Sequence, residues 1–229
     1  MKRYNAQIRL EEIGRTGQQK LAEARILIVG CGALGSPAAM YLAGAGAGHI
    51  TIADFDTVEL SNLHRQVFYS EEEAGKSKAE CLKAGMLRLN SEISVTVWNK
   101  LVARRQLIAS EERFDIIIDA ADNPATTYML DRYCFETGIP LSTAGVSGWT
   151  AQVFLYCPGS VRYSEIFPEP EEGTEILPCS VAGIAGPVAQ FASSLQVADA
   201  IKVITGAEKN ESRLTTANLL TNKFEVITC

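Results

Sequence analysis

Residues 26–35, ILIVGCGALG, join a run of apolar β-formers to the three glycines of a G-x-G-x-x-G pattern. The small-residue segment SPAAMYLAGAG follows and favours a helix. A strand, a glycine turn and a helix in this order bring the phosphates of a nucleotide against backbone N–H groups at a helix N-terminus. In that role Gly30 makes the tight turn, Gly32 lets a phosphate approach, and Gly35 lets the helix pack on the strand. The alternative is a tight turn that holds no ligand.

Polar side chains recur where the strands of the predicted sheet end. They are Asp54 and Asp56, then Asn62, Arg65 and Gln66, then Lys76 and Lys78, and finally Asp119, Asp122 and Asn123. Ligands of open α/β sheets bind at the carboxyl ends of the parallel strands, so we expect these groups to converge on the glycine turn. Cations spread the charge that develops on phosphates, and a carboxylate holds Mg²⁺. The sequence therefore predicts nucleotidyl transfer, with Asp54 placed to bind a ribose.

Each of these residues also has a simpler explanation. A surface ion pair would explain Arg65, and an exposed helix start would explain Lys76 and Lys78. Asp122 fits an N-cap of the next helix, because Pro124 follows in the first turn. It is their joint occurrence at successive strand ends that favours a site.

The elements that must position these residues alternate along the chain. Strands are expected at 26–29, 49–54, 93–98, 114–119 and 140–144, and helices at about 33–45, 76–89, 104–111 and 124–137. This rhythm predicts an α/β fold with a mainly parallel sheet and helices on both faces, the Rossmann-like doubly wound type. A strand at 150–156, a helix beginning GPVAQF and a closing hairpin predict a C-terminal antiparallel extension. We expect one domain over 1–229, with a helical N-terminal arm in 1–25 and a mobile crossover-type loop at 157–185.

Composition narrows the class of protein. The chain has 229 residues, 47% of them hydrophobic, and a formal net charge of −6, which argues against nucleic acid as a partner. The sequence contains neither an evident signal peptide nor an apolar stretch long enough to span a bilayer, so we expect a cytoplasmic protein that does not associate with membranes. Six cysteines occur without a C-x-x-C pair, and most of them, Cys31 and Cys81 included, are expected to be small buried side chains.

The segments GCGALG, ADFDTVELSNLHRQ, GKSKAE and DAADN together resemble the ThiF/MoeB/HesA family, and ThiF most closely. These proteins are bacterial relatives of ubiquitin-activating enzymes and adenylate the C-terminal Gly-Gly of a small β-grasp carrier protein. The resemblance implies ATP as substrate: Asp54 would hold its ribose, Asn62 and Arg65 would contact ribose and phosphates, Gln66 would support them, and Lys78 would bind phosphate. Asp122 matches the Mg²⁺ carboxylate. The glycines of the turn, with Ala33, Asp56 and Asn123, complete the implied nucleotide site.

The resemblance also implies partners. The acceptor would be a ubiquitin-like sulfur carrier, ThiS-like for thiamin synthesis, or alternatively MoaD-like for molybdopterin synthesis. Cys179, in LPCSVAGIAGP, matches the cysteine that ThiF-like members use in sulfur transfer, although a structural cysteine is the simpler alternative. The resemblance further implies a homodimer. Two other interpretations stay open: a non-catalytic member that only binds a carrier, and an NAD-dependent oxidoreductase, which would share the glycine turn and Asp54.

Three differences separate the sequence from the family pattern. The opening motif Y-x-R-Q-I has Ala6 in place of its arginine, with Arg3 and Arg9 nearby as substitutes. Arg162 and Glu165 stand where most members have the first zinc-binding cysteine pair, and the second pair is missing, so we expect no structural zinc. A C-terminal rhodanese domain is also missing, which implies that the sulfur comes from a separate donor protein.

Overall fold

The computed structural model describes residues 2–110, 112–170, 183–207 and 211–229. The chain begins with a 3₁₀ turn, Lys2–Tyr4, and two helices, α1 (Asn5–Ile8) and α2 (Gly14–Glu23). The central part follows as β1 (Arg25–Val29), α3 (Gly35–Ala45), β2 (His49–Ala53), α4 (Lys78–Leu89), β3 (Ser94–Trp98), α5 (Arg104–Ala109), β4 (Ile116–Asp119) and α6 (Pro124–Thr137). The last part comprises β5 (Leu141–Ser147), β6 (Thr150–Tyr156), α7 (Tyr163–Ile166), α8 (Gly186–Thr205), β7 (Arg213–Asn218) and β8 (Lys223–Thr228).

The eight strands form one sheet in the order β3-β2-β1-β4-β5-β6-β7-β8. The five strands from β3 to β5 are parallel, and β6, β7 and β8 are added in antiparallel pairs. This confirms the predicted α/β class and its antiparallel extension. Within the sheet, β2 lies next to β1 on one side and β4 lies next to β1 on the other. The strand order therefore reverses between β1 and β4. A crevice forms at such a reversal, at the carboxyl ends of the two strands.

The parallel strands are buried on both faces, as their continuous apolar runs predict. In β1, Ile26 and Ile28 lie in the same cluster as Leu42 of α3 and Met86 of α4. Leu27 and Val29 alternate with them and lie in a second cluster that also contains Leu107 of α5 and Leu130 of α6. Residues of α8 pack against β5 and β6. Helices therefore cover both faces of the sheet near the crevice and hold its strand ends in place.

The N-terminal residues that contain α1 and α2 pack on their own chain. The Tyr4 hydroxyl accepts a hydrogen bond from Asn90 Nδ2 at 2.8 Å, and Arg3 Nη1 donates to the Leu89 carbonyl at 2.8 Å. Gln7 Nε2 donates to the carbonyl of Ala45 at 2.8 Å. Ala6 itself is exposed. Arg3 is thus engaged at the end of α4. Within the part of the chain that the structure describes, no hydrogen bond or ion pair engages Arg9, the other arginine proposed to replace the missing family arginine.

The segment treated as an irregular loop from the sequence contains a helical turn, α7, which corrects that expectation for its described part. The turn is fixed by a reciprocal cap: the Arg162 backbone N–H donates to Glu165 Oε2 at 2.9 Å, and the Glu165 N–H donates to the Arg162 carbonyl at 3.2 Å. The Arg162 guanidinium also lies 4.9 Å from the ring centroid of Phe135. These two residues, at the expected zinc-cysteine positions, therefore hold the turn by hydrogen bonds and a cation–π contact.

Candidate functional site

A cavity of about 720 Å³ lies at the carboxyl ends of the strands beside the strand-order reversal. Ten of the twelve residues predicted to bind the nucleotide line it: Gly30, Gly32, Ala33, Asp54, Asp56, Arg65, Gln66, Lys78, Asp122 and Asn123. The other two, Gly35 and Asn62, do not line it and instead support residues that do. Lys76 is exposed and also lies off the cavity wall.

The glycine turn has the geometry that its spacing predicts. Gly30 has a φ of +96°, and a Cβ there would lie 2.5 Å from the carbonyl oxygen of Ala120. A Cβ on Gly35 would lie 1.8 Å from the Gly30 carbonyl oxygen, so the first turn of α3 can pack this close only without a side chain. At Gly32 the nearest atom to a Cβ is the Gln66 amide nitrogen at 3.5 Å. The turn therefore brings bare backbone at a helix N-terminus to the cavity wall.

Asp54 connects the end of β2 to the glycine turn. Its Oδ2 accepts a hydrogen bond from the Cys31 N–H at 2.6 Å, and its Oδ1 accepts one from the Asp56 N–H at 2.7 Å. A carboxylate has about four lone-pair sites, so each oxygen keeps acceptor capacity for a ligand hydroxyl. Cys31, behind the turn, is fully buried, and this burial is the main cause that raises the pKa of its thiol well above the ordinary value. Cys31 is thus an uncharged core side chain, as predicted, whereas Cys81 is only partly buried.

Lys78 brings a cation to the cavity from the first residue of α4. The helix begins there because the Ser77 hydroxyl accepts a hydrogen bond from the Glu80 N–H at 3.4 Å. The Lys78 N–H donates to the Asp56 carbonyl at 3.0 Å, and its Nζ donates to Asp56 Oδ2 at 2.9 Å. Two contacts with one residue thus hold the ammonium group beside the strand end.

Arg65 and Gln66 come from a tight turn that follows β2. Arg65 Nη2 donates to Asn62 Oδ1 at 2.7 Å, so Asn62 acts on the site through Arg65. Gln66 is 5% exposed, and its side-chain oxygen has no protein partner among the described residues. A buried, unpaired acceptor that lines a cavity is satisfied when a ligand or water supplies a donor.

The two acidic residues at the end of β4 and in the loop after it, Asp119 and Asp122, lie in different environments. Asp119 is buried, and its carboxylate accepts hydrogen bonds from the hydroxyls of Thr127 and Thr143, each at 2.7 Å, and from the Ala121 N–H at 3.1 Å. Burial raises the pKa of Asp119, and these hydrogen bonds oppose the rise. Asn123, and not Asp122, caps α6, because its Oδ1 accepts from the Thr126 N–H at 2.9 Å. Asp122 is left exposed at the cavity wall.

The cavity extends over β5 and β6 into an uncharged region that the sequence analysis missed. We call the four rings of Tyr128, Phe154, Tyr163 and Phe167 the aromatic end. Tyr163 is at its centre, 5.7, 5.8 and 5.0 Å from the ring centroids of Tyr128, Phe154 and Phe167. Gly145 of β5 and its partner Gln152 of β6 also line this region. Burial is the main cause that raises the pKa of Tyr163 to about 12, so its hydroxyl stays neutral.

Lys100 was also missed by the sequence analysis. It follows β3 and lines the cavity, and the rule that ligands bind at carboxyl ends of strands would have identified it.

Cys179 lies outside the described residues. Within the described ranges, no group of three or more His, Cys, Asp and Glu side chains is placed to hold a metal ion. In the same part of the chain, no helix is long and apolar enough to cross a membrane.

Comparison with known proteins identifies the family. The family model described as ThiF family matches residues 4–229. The chain belongs to the ThiF family. The "Sulfur carrier protein ThiS adenylyltransferase" of Escherichia coli (strain K12) is 36% identical over 208 residues, which cover 90% of this chain and 82% of the relative. The "Adenylyltransferase and sulfurtransferase MOCS3" of Dictyostelium discoideum is 37% identical over 206 residues. This ThiF-family chain spans about half the length of that relative, 48%.

Solved structures agree with the fold. The E. coli MccB crystal structure with ATP has a TM-score of 0.79 at 29% identity, over 93% of this chain and 66% of that one. The PaaA structure has a TM-score of 0.82 at 23% identity, over 99% of this chain and 72% of that one. These similarities confirm the doubly wound fold with its antiparallel extension, and the family match confirms the resemblance found in the motifs.

Proposed function

We propose that this ThiF-family protein uses ATP to adenylate the C-terminal carboxylate of a ubiquitin-like sulfur carrier protein. The observation that carries the proposal is the charged half of the cavity. There the glycine turn, Asp54, Arg65, Lys78 and Asp122 lie around one space of about 720 Å³. The names of the ThiS adenylyltransferase and MOCS3 relatives support this activity.

The residues present fit ATP and its metal ion. Gly32 has no side chain facing the cavity, the buried Gln66 oxygen offers an acceptor that no described residue engages, and Arg65 and Lys78 supply two cations. Asp122 is the exposed carboxylate that would hold Mg²⁺ together with the phosphates, because Mg²⁺ in such sites keeps several waters and takes one or two carboxylates. When bound, Mg²⁺ would neutralise phosphate charge.

The proposed reaction needs no protein nucleophile. A carboxylate oxygen of the carrier attacks the α-phosphorus of ATP, and the bond to the oxygen that bridges the α- and β-phosphates breaks. Pyrophosphate leaves, and the carrier becomes an acyl-adenylate. Arg65 and Lys78 would stabilise the negative charge that develops on these phosphates, and Asp54 would fix the ribose, so that catalysis rests on position and charge.

The test is ATP–pyrophosphate exchange with purified carriers, ThiS-like in one arm and MoaD-like in the other. We propose thiamin synthesis as the pathway, so exchange should depend on the ThiS-like carrier and disappear in Asp122→Ala. The matched control is Glu72→Ala, which removes an exposed acid that does not line the cavity. Its exchange rate should equal that of the unmodified protein.

Each outcome decides between named alternatives. Exchange that depends on the MoaD-like carrier would assign the protein to molybdopterin synthesis instead. ATP binding and tight carrier binding without exchange would make it a non-catalytic member. Exchange that persists in Asp122→Ala would remove the proposed role of Asp122.

We further propose that Cys179 receives the activated carrier during sulfur transfer from a separate donor protein. A persulfide of the donor protein would first pass its outer sulfur to the Cys179 thiolate and leave as a thiolate. The Cys179 persulfide would attack the carbonyl carbon of the acyl-adenylate, so that AMP leaves and an acyl-persulfide links Cys179 to the carrier. A thiol of the donor would then attack the Cys179 sulfur, which forms a disulfide with Cys179 and releases the carrier thiocarboxylate. Cys179→Ser should then keep pyrophosphate exchange and lose carrier thiocarboxylate formation, measured by intact-mass spectrometry with the donor present. Formation of thiocarboxylate at the normal rate in Cys179→Ser would contradict this role.

A further inference from the structure

Arg65 lies in a turn whose backbone is fixed from two sides. The N–H groups of Arg65 and Gln66 both donate to the Asn62 carbonyl, at 3.1 and 3.0 Å. On the other side, α8 begins against the turn: a Cβ on Gly186 would lie 2.9 Å from the His64 carbonyl oxygen. The turn therefore has little freedom to move, and the direction of the guanidinium depends on its side-chain contacts.

Two side chains of the same turn hold that guanidinium. Asn62 Oδ1 accepts from Nη2 at 2.7 Å, and His64 Nε2 lies 3.3 Å from Nη1. The other ring nitrogen, His64 Nδ1, lies 3.0 Å from the Ser61 carbonyl oxygen. Because a carbonyl only accepts, Nδ1 carries the proton, and the Nε2 of the neutral ring then has a lone pair for Arg65.

We propose that His64 is a positioning residue for Arg65, and that it acts only as the neutral ring with its proton on Nδ1. Protonation would place a donor on Nε2 opposite the Arg65 N–H and would add a second positive charge beside the guanidinium. The other charged group of this turn, Glu59, is engaged by Ser61 and Asn62, at 3.3 and 3.4 Å. Among the described residues, Gly186 at the start of α8 packs against the backbone of His64 and Arg65 and carries no charge. The inference rests on the proposed function because it assumes that Arg65 binds phosphate.

The expected consequence is a nucleotide affinity that falls in acid. Affinities at about pH 8 and about pH 5.5 are compared, because protonation of the ring would remove the acceptor at Nη1 and leave Arg65 with Asn62 alone. We expect the dissociation constant of an ATP analogue with a methylene bridge between the α- and β-phosphates to rise about tenfold, the effect of losing one good hydrogen bond to a charged group. Adenosine has no phosphate, so its affinity should not follow this profile.

Variants separate positioning from general structural damage. His64→Gln keeps one donor and one acceptor, so it should bind the analogue normally at about pH 8 and lose the additional weakening in acid. His64→Leu should bind about tenfold more weakly at both pH values because Arg65 has no partner at Nη1. The matched control is His49→Gln, which changes the chain's only other histidine, at the start of β2 far from the cavity wall. Its profile should follow that of the unmodified protein.

Isothermal titration calorimetry measures these affinities, and NMR supplies a readout that needs no nucleotide. In His49→Gln only His64 contributes imidazole signals, and its ring ¹⁵N shifts at about pH 8 should report a proton on Nδ1. A proton on Nε2 would overturn the inference whatever the protein binds. The same pH profile in His64→Gln and in the unmodified protein would also overturn it. Absence of nucleotide binding in the unmodified protein would instead overturn the proposed function, and the NMR result would then decide the inference alone.

Discussion

The ammonium group of Lys78 is an almost buried cation whose counter-charge comes from a half-exposed carboxylate. Its Nζ lies 2.9 Å from Asp56 Oδ2, and the two side chains are 6% and 49% exposed. A buried charge is costly when it has no partner, so Asp56 compensates Lys78 as long as no phosphate is bound. A bound phosphate would supply a second counter-charge at the same ammonium group.

Asp56→Asn should therefore destabilise the protein mainly in the absence of nucleotide. We expect a loss of about 1–2 kcal/mol in the free energy of unfolding, below the cost of breaking a fully buried pair because Asp56 is half exposed. An ATP analogue should recover part of this loss, and urea unfolding with and without the analogue measures both. The control is Glu136→Gln, whose partner Arg104 is 49% exposed; we expect a change within about 0.5 kcal/mol there. An equal loss in the two variants would contradict the special position of Lys78.

The close contact between Gly35 and Gly30 predicts a steric effect on stability. Gly35→Ala would place a Cβ 1.8 Å from the Gly30 carbonyl oxygen, so we expect it to destabilise the protein by about 3 kcal/mol or to prevent folding. Gly44→Ala tests the same exchange in the same helix, where the nearest atom to the new Cβ is 3.6 Å away. That variant should be neutral or up to about 1 kcal/mol more stable, because alanine is the better helix former. Thermal unfolding of both variants makes the comparison, and a stable Gly35→Ala protein would disprove the close packing.

Asp119 predicts a pH dependence of stability. Burial raises the pKa of its carboxyl in the folded protein, so the folded state binds a proton at pH values where the unfolded chain has already lost it. The stability contribution of this group is therefore fully present below the ordinary pKa and is lost as the pH rises through the folded-state value. Asp119→Asn should make the free energy of unfolding less dependent on pH in this range. Urea unfolding at a series of pH values measures the difference, and parallel curves for the two proteins would contradict it.

The sequence predicted most of the parallel half of the fold, because buried parallel strands are continuous apolar runs and the glycine spacing fixes the turn after β1. It also predicted the charged half of the cavity, since strand ends are recognisable in a sequence. The aromatic end was not predicted because its rings come from α6, β6 and the region of α7. Only the folded chain brings these segments together. The helical turn α7 was missed because four residues show no periodicity and its start is set by the local cap of Arg162 and Glu165.

We expect a substitution at position 6 to change the activity. The exposed Ala6 lies between Tyr4 and Gln7, which are both anchored on their own chain. We propose a homodimer in which this position faces the partner's site, so Ala6→Arg should raise the pyrophosphate exchange rate on the order of 100-fold, the low end for one transition-state donor. Ala6→Gln, which adds length without charge, should leave the rate unchanged. Arg9→Ala should lower the rate if Arg9 now supplies the missing charge, whereas an unchanged rate in Ala6→Arg would remove the idea.

The free space beside Gly145 leads to a prediction about how the carrier enters the cavity. Gly145 lies in β5 without a positive φ and lines the uncharged region, and no atom of the described residues lies within 4 Å of a Cβ built on it. The fold therefore does not require a glycine here, and the free space is available to the end of the acceptor chain. Gly145→Val should leave stability and ATP affinity unchanged and lower carrier-dependent exchange about tenfold or more, because misplaced reacting groups lose rate steeply. Ser147→Val, two residues further along the same strand face and off the cavity wall, is the control. Full exchange in Gly145→Val would show that the carrier's terminus reaches the nucleotide by another route.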